Sequence, residues 1–355
     1  MISRNKKFFL LAIAFGFGLA LIFASIEAQK LERPSQNKPE IAQLSPSDSQ
    51  TTRFAIPIDC KLGDDCFIMH YVDRDPTPKE IDFGCGRQTY DGHKGTDFGI
   101  SDLQKMKQGV PVVAAADGTV LRVRDGIADK LVRDRADVEA VGDMECGNGV
   151  VIDHGNDWET QYCHLRNSSI AISPNTQVTK GTTLGMVGSS GLASFPHVHL
   201  TVRYRGEVVD PFVGVDSTPG CEVDRNPLWE ESLDYVPTGL IEAGFANKAP
   251  TQAEIWQGKF SGISLSESSP ALVFWVHAFG VLAGDRESFK LTAPDGKVEI
   301  DRDNNLEKPF RTWVTFAGKS NKDGNSLRSG VWRGEYKLMR RDSLVFQIDR
   351  DIKVN

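Results

Sequence analysis

The stretch PHVHLTVRYRGEVVDP, which runs from Pro196 to Pro211, has the pattern of a β-hairpin. Apolar residues alternate with other residues through HVHLTVRY, which predicts a strand. The Arg205-Gly206 pair predicts a tight turn into a second, paired strand. Similar short strand patterns, separated by turns that contain glycine, precede it in VPVVAAADGTVLRV, GVVIDHG, WETQYCHL and TLGMVGSSG. The sequence therefore predicts a mainly antiparallel β unit.

Two histidines, His197 and His199, stand one residue apart in the first strand of this hairpin. Side chains at positions i and i+2 of a strand project from one face, about 6–7 Å apart. One imidazole can then bind a metal ion while the other reaches the open side of that ion. The pair alone is a weak signal, because half-buried strands also carry such pairs by accident.

Two further segments supply residues of the same chemistry. In YDGHKGTDFGI, His93 and Asp97 would be about 13 Å apart on a straight strand, so they converge only if the chain turns at Gly92 and Gly95. An imidazole and a carboxylate suit zinc, although a surface histidine and a turn aspartate are the alternative. In ETQYCHLRN, His164 ends a strand that we expect to pair with GVVIDHG, and its alternative role is in the core or in capping.

The segments are more informative together than singly. His93, Asp97 and one histidine of the pair amount to three protein ligands. Catalytic zinc sites have three such ligands and keep one position open for water. Two further imidazoles then suit proton transfer and stabilisation of an oxyanion.

The segments HKGTD, YCHL and HVH, in this order, resemble the lysostaphin-type (LytM-type) zinc endopeptidases that cut peptidoglycan. Framework segments match as well, namely GVPVVAAADGTVLRV, GNGVVIDHG, VTKGTTLGMVGSSG and RGEVVDPF. The resemblance covers Asp82 to Val213 and implies an antiparallel-sheet catalytic domain. This chain departs from the family pattern at Phe195-Pro196, where the family usually has glycine before H-x-H, and at Cys163. Neither change removes a functional group.

The resemblance implies that His93, Asp97 and His199 are ligands of a Zn²⁺ cofactor and that His164 and His197 are the catalytic pair. Spacing alone does not decide which histidine of H-x-H is the ligand. The resemblance also implies a metallo-endopeptidase that hydrolyses peptidoglycan stem peptides or cross-links, at a bond between D-alanine and diaminopimelate.

The other three histidines are interpreted as structural. His154, in IDHGNDW, is expected at a hairpin turn. His70 and His277 belong to no motif that would give them a partner.

The first 28 residues predict export. Positive charges precede nineteen uncharged residues, Phe8–Ile26, which is typical of a secretory signal within residues 1–28. The run also has nearly the length that spans a bilayer, so an uncleaved anchor in the inner membrane is the alternative. Residues 29–53 are polar and rich in serine, glutamine and proline, which predicts a disordered linker.

The cysteine count supports an oxidising compartment, the periplasm. The chain has six cysteines, and an even number behind an export signal favours disulfides over free thiols. Cys60 and Cys66 are close in sequence, and Cys146 and Cys163 flank a predicted hairpin. The pair Cys85 and Cys221 is left by elimination.

We predict a zinc peptidase domain over residues 54–218, with a strongly charged insertion at 125–145. This insertion is predicted to be a loop or short helix. It either lines a binding groove or is a solvent-exposed segment without a binding role. Residues 219–250 are predicted to connect it to residues 251–355. That last segment contains several short strands and suggests a small β-sandwich-like accessory domain, expected to be independent and to bind the cell wall or a protein partner.

The net charge and the complete set of site residues help to decide between the possible partners and functions of the protein. The formal net charge is −7 and no long basic run occurs, so no nucleic acid partner is expected. The rivals to a wall endopeptidase are a non-catalytic regulator of other wall hydrolases, a wall-binding protein, and a protease that acts on other proteins. All five expected site positions are filled, which favours the enzyme.

Overall fold

The computed structural model describes residues 52–215, 218–321 and 326–355. The predicted signal or anchor at 1–28 and all but the last two residues of the predicted linker at 29–53 lie outside the described residues. Within the described ranges, no helix is both long enough and apolar enough to cross a membrane.

The first unit, residues 54–238, is built on an antiparallel sheet. Its elements are β1 Phe67–His70, β2 Thr96–Gly99, α1 Leu103–Gln108, β3 Pro111–Val113, β4 Gly118–Arg124, α2 Arg135–Val141, β5 Asn148–Gly155, β6 Trp158–Leu165, β7 Gln177–Val178, β8 Thr183–Met186, β9 His197–Tyr204 and β10 Glu207–Val209. The main sheet has the order β1-β2-β9-β6-β5-β4-β7, with β10 also paired to β9, and β3 pairs with β8. The predicted mainly antiparallel β fold is confirmed.

The predicted hairpin is formed by β9 and β10. Its turn residues Arg205 and Gly206 have φ angles of 54° and 83°, and two positive values are typical of the tight turn that suits the twist of a hairpin. Val198, Leu200 and Val202 are buried in the core of the unit. Because alternate side chains point to opposite faces, the two histidines of β9 stand on the face away from this core.

The predicted insertion at 125–145 contains α2, so the expectation of a loop or short helix is confirmed. The segment is tied to the strands beside it. The Asp129 carboxylate accepts hydrogen bonds from the backbone N–H groups of Ser189, at 2.8 Å, and Asn167, at 2.9 Å. The insertion is therefore held against the first unit and is not a free excursion.

All three predicted disulfides are present: Cys60–Cys66, Cys85–Cys221 and Cys146–Cys163. The last of these joins the end of the insertion to β6, immediately before His164. The second ties the start of the predicted connector to the first unit. The pairing inferred from sequence separation and elimination is confirmed.

Residues 239–355 form the second unit. Its elements are β11 Gly239–Ala246, α3 Gln252–Trp256, β12 Ala271–Val281, β13 Asp285–Thr292, β14 Val298–Asn305, β15 Phe310–Ser320, β16 Gly330–Arg340 and β17 Ser343–Val354. One sheet has the order β11-β12-β15 and the other β14-β13-β16-β17. Side chains of both sheets, including Phe274, Phe289 and Trp332, share one core, as expected for a β-sandwich-like domain.

The predicted connector, residues 219–250, divides between the two cores. Leu228 and Trp229 are buried in the core of the first unit. Residues 239–246 form β11, which pairs with β12. The alternating apolar residues of GLIEAGFA carry the strand signal, and their burial explains why this stretch is not a linker.

An interface cluster joins the two units. It combines three apolar side chains from the first unit with three from the second: Phe67, Met69 and Phe195 with Ile241, Trp256 and Phe279. The Phe195 ring stacks on Trp256 with centroids 5.7 Å apart, and all described residues belong to one compact unit, 50–355. The structure thus does not support the expectation that the second unit is independent.

Candidate metal centre and active site

Three predicted site residues bring donor atoms together on one face of the sheet. Asp97 on β2 lies directly opposite His199 on β9, and His93 approaches from the turn before β2. Oδ1 of Asp97 is 2.8 Å from Nδ1 of His199 and 3.2 Å from Nε2 of His93. The two imidazole nitrogens are 3.1 Å apart. One metal ion could be held by all three atoms.

Two glycines allow this convergence for different reasons. Gly92 has a φ of 74°, which lets the chain turn before His93 as the sequence predicted. Gly95 is needed for close approach, because a Cβ atom there would lie 2.5 Å from Nε2 of His199 and 2.6 Å from the Leu200 carbonyl oxygen. Larger residues at Gly95 would displace the metal centre.

The hydrogen bonds behind the three donors fit a cation. Nδ1–H of His93 donates to the Tyr71 carbonyl at 2.7 Å, so its Nε2 presents a lone pair. Nε2 of His199 lies 3.0 Å from Oγ1 of Thr201, and this hydroxyl oxygen can accept a hydrogen bond from Nε2–H. Tetrahedral zinc with Zn–N of about 2.0–2.1 Å requires donors roughly 3.3 Å apart, close to the observed spacing. Such outer hydrogen bonds are typical of metal-binding histidines.

Burial and mutual charge set the protonation of this centre. Burial acts to raise the pKa of Asp97, but the surrounding histidines outweigh it and hold that pKa well below its ordinary range. Burial lowers the pKa of His199. For His93, burial lowers the pKa but Asp97 reverses the direction, so that the net shift is upward. The lowered pKa values of Asp97 and His199 favour the deprotonated forms that bind a metal, whereas the raised pKa of His93 means that a bound ion would displace its proton.

The predicted catalytic pair lies beside the three donors. The His164 and His197 rings have centroids 4.5 Å apart, and Nε2 of His197 is 3.6 Å from Oδ1 of Asp97. Their Nδ1–H groups donate to the carbonyls of Ser190 and Phe195, each at 2.8 Å. Burial lowers the pKa of His197 to about 4 and that of His164 well below its ordinary value. Because Nδ1–H of each ring is engaged by a carbonyl, each imidazole in its neutral form presents a lone pair at Nε2.

His164 is held in an unusual backbone conformation. Its φ is 64°, a left-handed value that costs energy for a residue with a side chain and is enriched at functional sites. Its N–H donates to the Cys146 carbonyl at 2.8 Å, and the Cys146–Cys163 disulfide closes the same corner. These contacts fix the direction of the imidazole.

The interpretation of His70 as a residue without a partner is wrong. His70 pairs with Asp97 across β1 and β2, and its Nδ1–H donates to Oδ2 of that carboxylate at 2.9 Å. The ring also packs edge-on against Tyr90 and Phe195. His70 thus holds the second oxygen of Asp97, which leaves Oδ1 directed at the other donors.

We expect His70→Ala to weaken zinc binding by about 10–100-fold, the usual effect of losing a partner of a metal ligand. His70→Asn retains an N–H donor near the position of Nδ1 and should recover part of the affinity. Competition with a chelator on the purified variants measures this, with His154→Ala as a control. Wild-type affinity in His70→Ala, or equal losses in both His70 variants, would contradict the assignment.

The other two histidines lie away from the centre. His154 ends β5 at the predicted hairpin, where its Nδ1–H donates to the Asp117 carbonyl and Nε2 contacts Thr160. His277 is buried in β12 against the ring of Trp256, and neither of its ring nitrogens has a hydrogen-bond partner among the described residues. Their interpretation as structural residues stays a prediction.

A cavity of about 330 Å³ opens over the metal centre. Besides His93, His164 and His199, it is lined by residues from the turn before β2, the insertion, β6, the segment before β9 and β9 itself, among them Tyr90, Lys94, Glu145, Gln161, Leu192, Thr201 and Arg203. Phe195, one of the departures from the family pattern, stacks on His197 with centroids 4.3 Å apart. The site can therefore receive an extended ligand across the sheet.

The sequence model of Peptidase family M23 matches residues 91–211, a range that holds all three donors and both catalytic candidates. Residues 91–211 form a peptidase family M23 domain. The resemblance predicted from the sequence is confirmed, and the match of this domain to a peptidase family agrees with the His-Asp-His donor set.

Curated relatives share this domain. The chain is 33% identical over 119 residues to an uncharacterized metalloprotease of Haemophilus influenzae, covering 34% of this chain and 20% of that protein. It is 32% identical over 118 residues to the peptidoglycan DD-endopeptidase ShyA of Vibrio cholerae, covering 33% and 22%. The chain thus spans about a fifth of the length of these relatives. A crystal structure of a zinc-containing peptidase from Vibrio cholerae overlaps 45% of this chain and 39% of its own, with 24% identity and a TM-score of 0.31.

Proposed function

We propose that this protein is an exported zinc metallo-endopeptidase that hydrolyses peptide bonds in peptidoglycan. The observation that carries the proposal is the convergence of His93, Asp97 and His199, with His164 and His197 beside them, inside an M23 domain. The resemblance found in the sequence implies the same five residues as metal ligands and catalytic pair.

Each residue has a defined task in this proposal. His93, Asp97 and His199 hold the metal, and zinc when bound supplies a Lewis acid that polarises a carbonyl and lowers the pKa of water. His197 and His164 are oriented through their Nδ1–H groups, which donate to backbone carbonyls. Their Nε2 atoms accept the proton that water loses when it attacks the scissile carbonyl and return that proton to the leaving amine. Once protonated, they can instead donate a hydrogen bond to the carbonyl oxygen.

The substrate is a peptide of the bacterial cell wall. A relative named peptidoglycan DD-endopeptidase supports this class, and the open cavity suits an extended peptide. Within the class, we propose a stem peptide or cross-link, with cleavage between D-alanine and diaminopimelate.

The proposed location is supported by the predicted N-terminal signal and by the three disulfides, which are typical of an oxidising compartment. We propose the periplasm, with residues 1–28 as a cleaved signal or as an inner-membrane anchor. We propose that the peptidase domain, predicted at 54–218, comes first and extends to residue 238, and that the accessory domain, predicted at 251–355, begins with β11, so that the predicted connector at 219–250 is divided between them.

The test is incubation of the purified zinc-loaded protein with defined cross-linked muropeptides, followed by mass analysis. Release of monomers with the mass gain of one water, and no change in uncross-linked glycan, supports the proposal. A zinc-loaded protein that leaves every cross-link intact contradicts it and favours a non-catalytic regulator or a wall-binding protein.

A further inference from the structure

The sheet face that carries the metal centre continues along β9 beyond the histidines. Side chains at alternate strand positions share a face, so Thr201 and Arg203 follow His199 on it. Opposite these two residues, on β6, stand Gln161 and Glu159. Thr201 and Arg203 line the same cavity as His93, His164 and His199. The cavity therefore has a polar floor that leads from the metal centre to Arg203.

The positive charge of Arg203 is only partly balanced. Its guanidinium lies 3.5 Å from one oxygen of Glu159, whose other oxygen is 3.7 Å from the guanidinium of Arg122. Two cations thus share one carboxylate, at distances where partly exposed pairs contribute little. Lys94 adds a second positive charge to the cavity wall, against one negative charge from Glu145.

The distance to the centre suits recognition of a nearby substrate group. The four residue steps from His199 to Arg203 span about 13 Å of strand, at roughly 3.3 Å each. An extended peptide bound along β9 has a similar length per residue. The side chain of Arg203 can reach back toward the metal centre, so its charge can lie closer to the centre than its backbone does.

We propose that Arg203 is a specificity-determining residue that binds a free carboxylate of an acidic peptide, within about three residues of the scissile bond. This inference rests on the proposed function. A guanidinium forms two parallel hydrogen bonds with a carboxylate, so a substrate carboxylate would replace the long contact with Glu159. Diaminopimelate offers such a group, since it keeps a free carboxylate on its side chain.

The test compares two soluble cross-linked peptides that differ only in whether the free carboxylate of diaminopimelate near the scissile bond is left free or is amidated. The zinc-loaded wild type should favour the free carboxylate by about tenfold in kcat/KM, the scale of one charge-assisted hydrogen-bonded pair. Arg203→Gln should reduce this ratio to about one, and Arg203→Lys should give an intermediate value. Arg205→Gln is the matched control, because Arg205 is 70% exposed and pairs with Asp157 at the hairpin turn.

Zinc content measured on each preparation completes the test. Three outcomes overturn the inference: a ratio near one in the wild type, an unchanged ratio in Arg203→Gln, or loss of zinc in that variant. In each of these cases, cleavage of the peptides still supports the proposed function. If the zinc-loaded wild type cleaves neither peptide, the proposed function fails and the inference fails with it.

Discussion

Replacing His199 by alanine is expected to remove the metal and the activity together, whereas replacing His197 should leave the metal bound. His199 contributes Nδ1 to the donor set, 2.8 Å from Oδ1 of Asp97. Without it only two donors remain, and catalytic zinc sites have three. His197 is fixed by the Phe195 carbonyl, and its loss keeps all three donors. The rate should still fall by about 10²–10⁴-fold, the scale for a positioned proton-transfer group or an oxyanion partner.

The comparison requires zinc content and turnover on the same preparations. His164→Ala should behave like His197→Ala, and Asp97→Ala like His199→Ala. His154→Ala serves as the control, because the contacts of His154 are with Asp117, Thr160 and Phe54, none of which belongs to the metal centre. If His197→Ala loses zinc while His199→Ala retains it, the two roles within H-x-H are reversed.

Removal of residues 251–355 is expected to abolish cleavage of small soluble muropeptides as well as of intact cell wall. Deletion leaves β11 without β12, the strand with which it pairs, and takes Trp256 and Phe279 from the interface cluster. Phe195 then loses the packing of Trp256 against its ring. Because the same ring stacks on His197, the position of His197 should change as well. A displacement of about 1 Å at such a residue can cost 10²-fold in rate.

Point variants separate this effect from general unfolding. Trp256→Ala should destabilise the protein by about 3–5 kcal/mol, the usual cost of removing a buried tryptophan, and should also lower kcat/KM by at least about tenfold. Trp332→Ala is the matched control, because Trp332 is equally buried but lies in the core of the second unit. Both are assayed below their unfolding midpoints. Equal activity in the two variants would contradict a role of the interface cluster in the site.

Local patterns allowed much of the site to be predicted. His197 and His199 share a face because of strand geometry alone, and the short separation of Cys60 from Cys66 identified one disulfide. The resemblance selected His199 as the ligand, and its Nδ1 does face Asp97. These features depend on residues that are near one another in the chain or belong to a known motif.

Features that depend on long-range packing could not be predicted. His70 reaches Asp97 only because β1 pairs with β2 across 27 positions of sequence, and no motif surrounds it. The contact between Phe195 and Trp256 joins two units whose separate strand patterns gave no sign of a shared cluster. The strand at 239–246 was missed because a proline- and charge-rich stretch precedes it.

The most direct measurement of the central claim is cross-link hydrolysis by one protein preparation before chelation, after chelation and after zinc is returned. We expect about one zinc per chain, complete loss of muropeptide cleavage when the metal is removed, and recovery when zinc is added. His199→Ala should show neither the zinc nor the recovery. Full cleavage by a preparation without metal, or zinc-restored cleavage in His199→Ala equal to that of the wild type, would contradict the account.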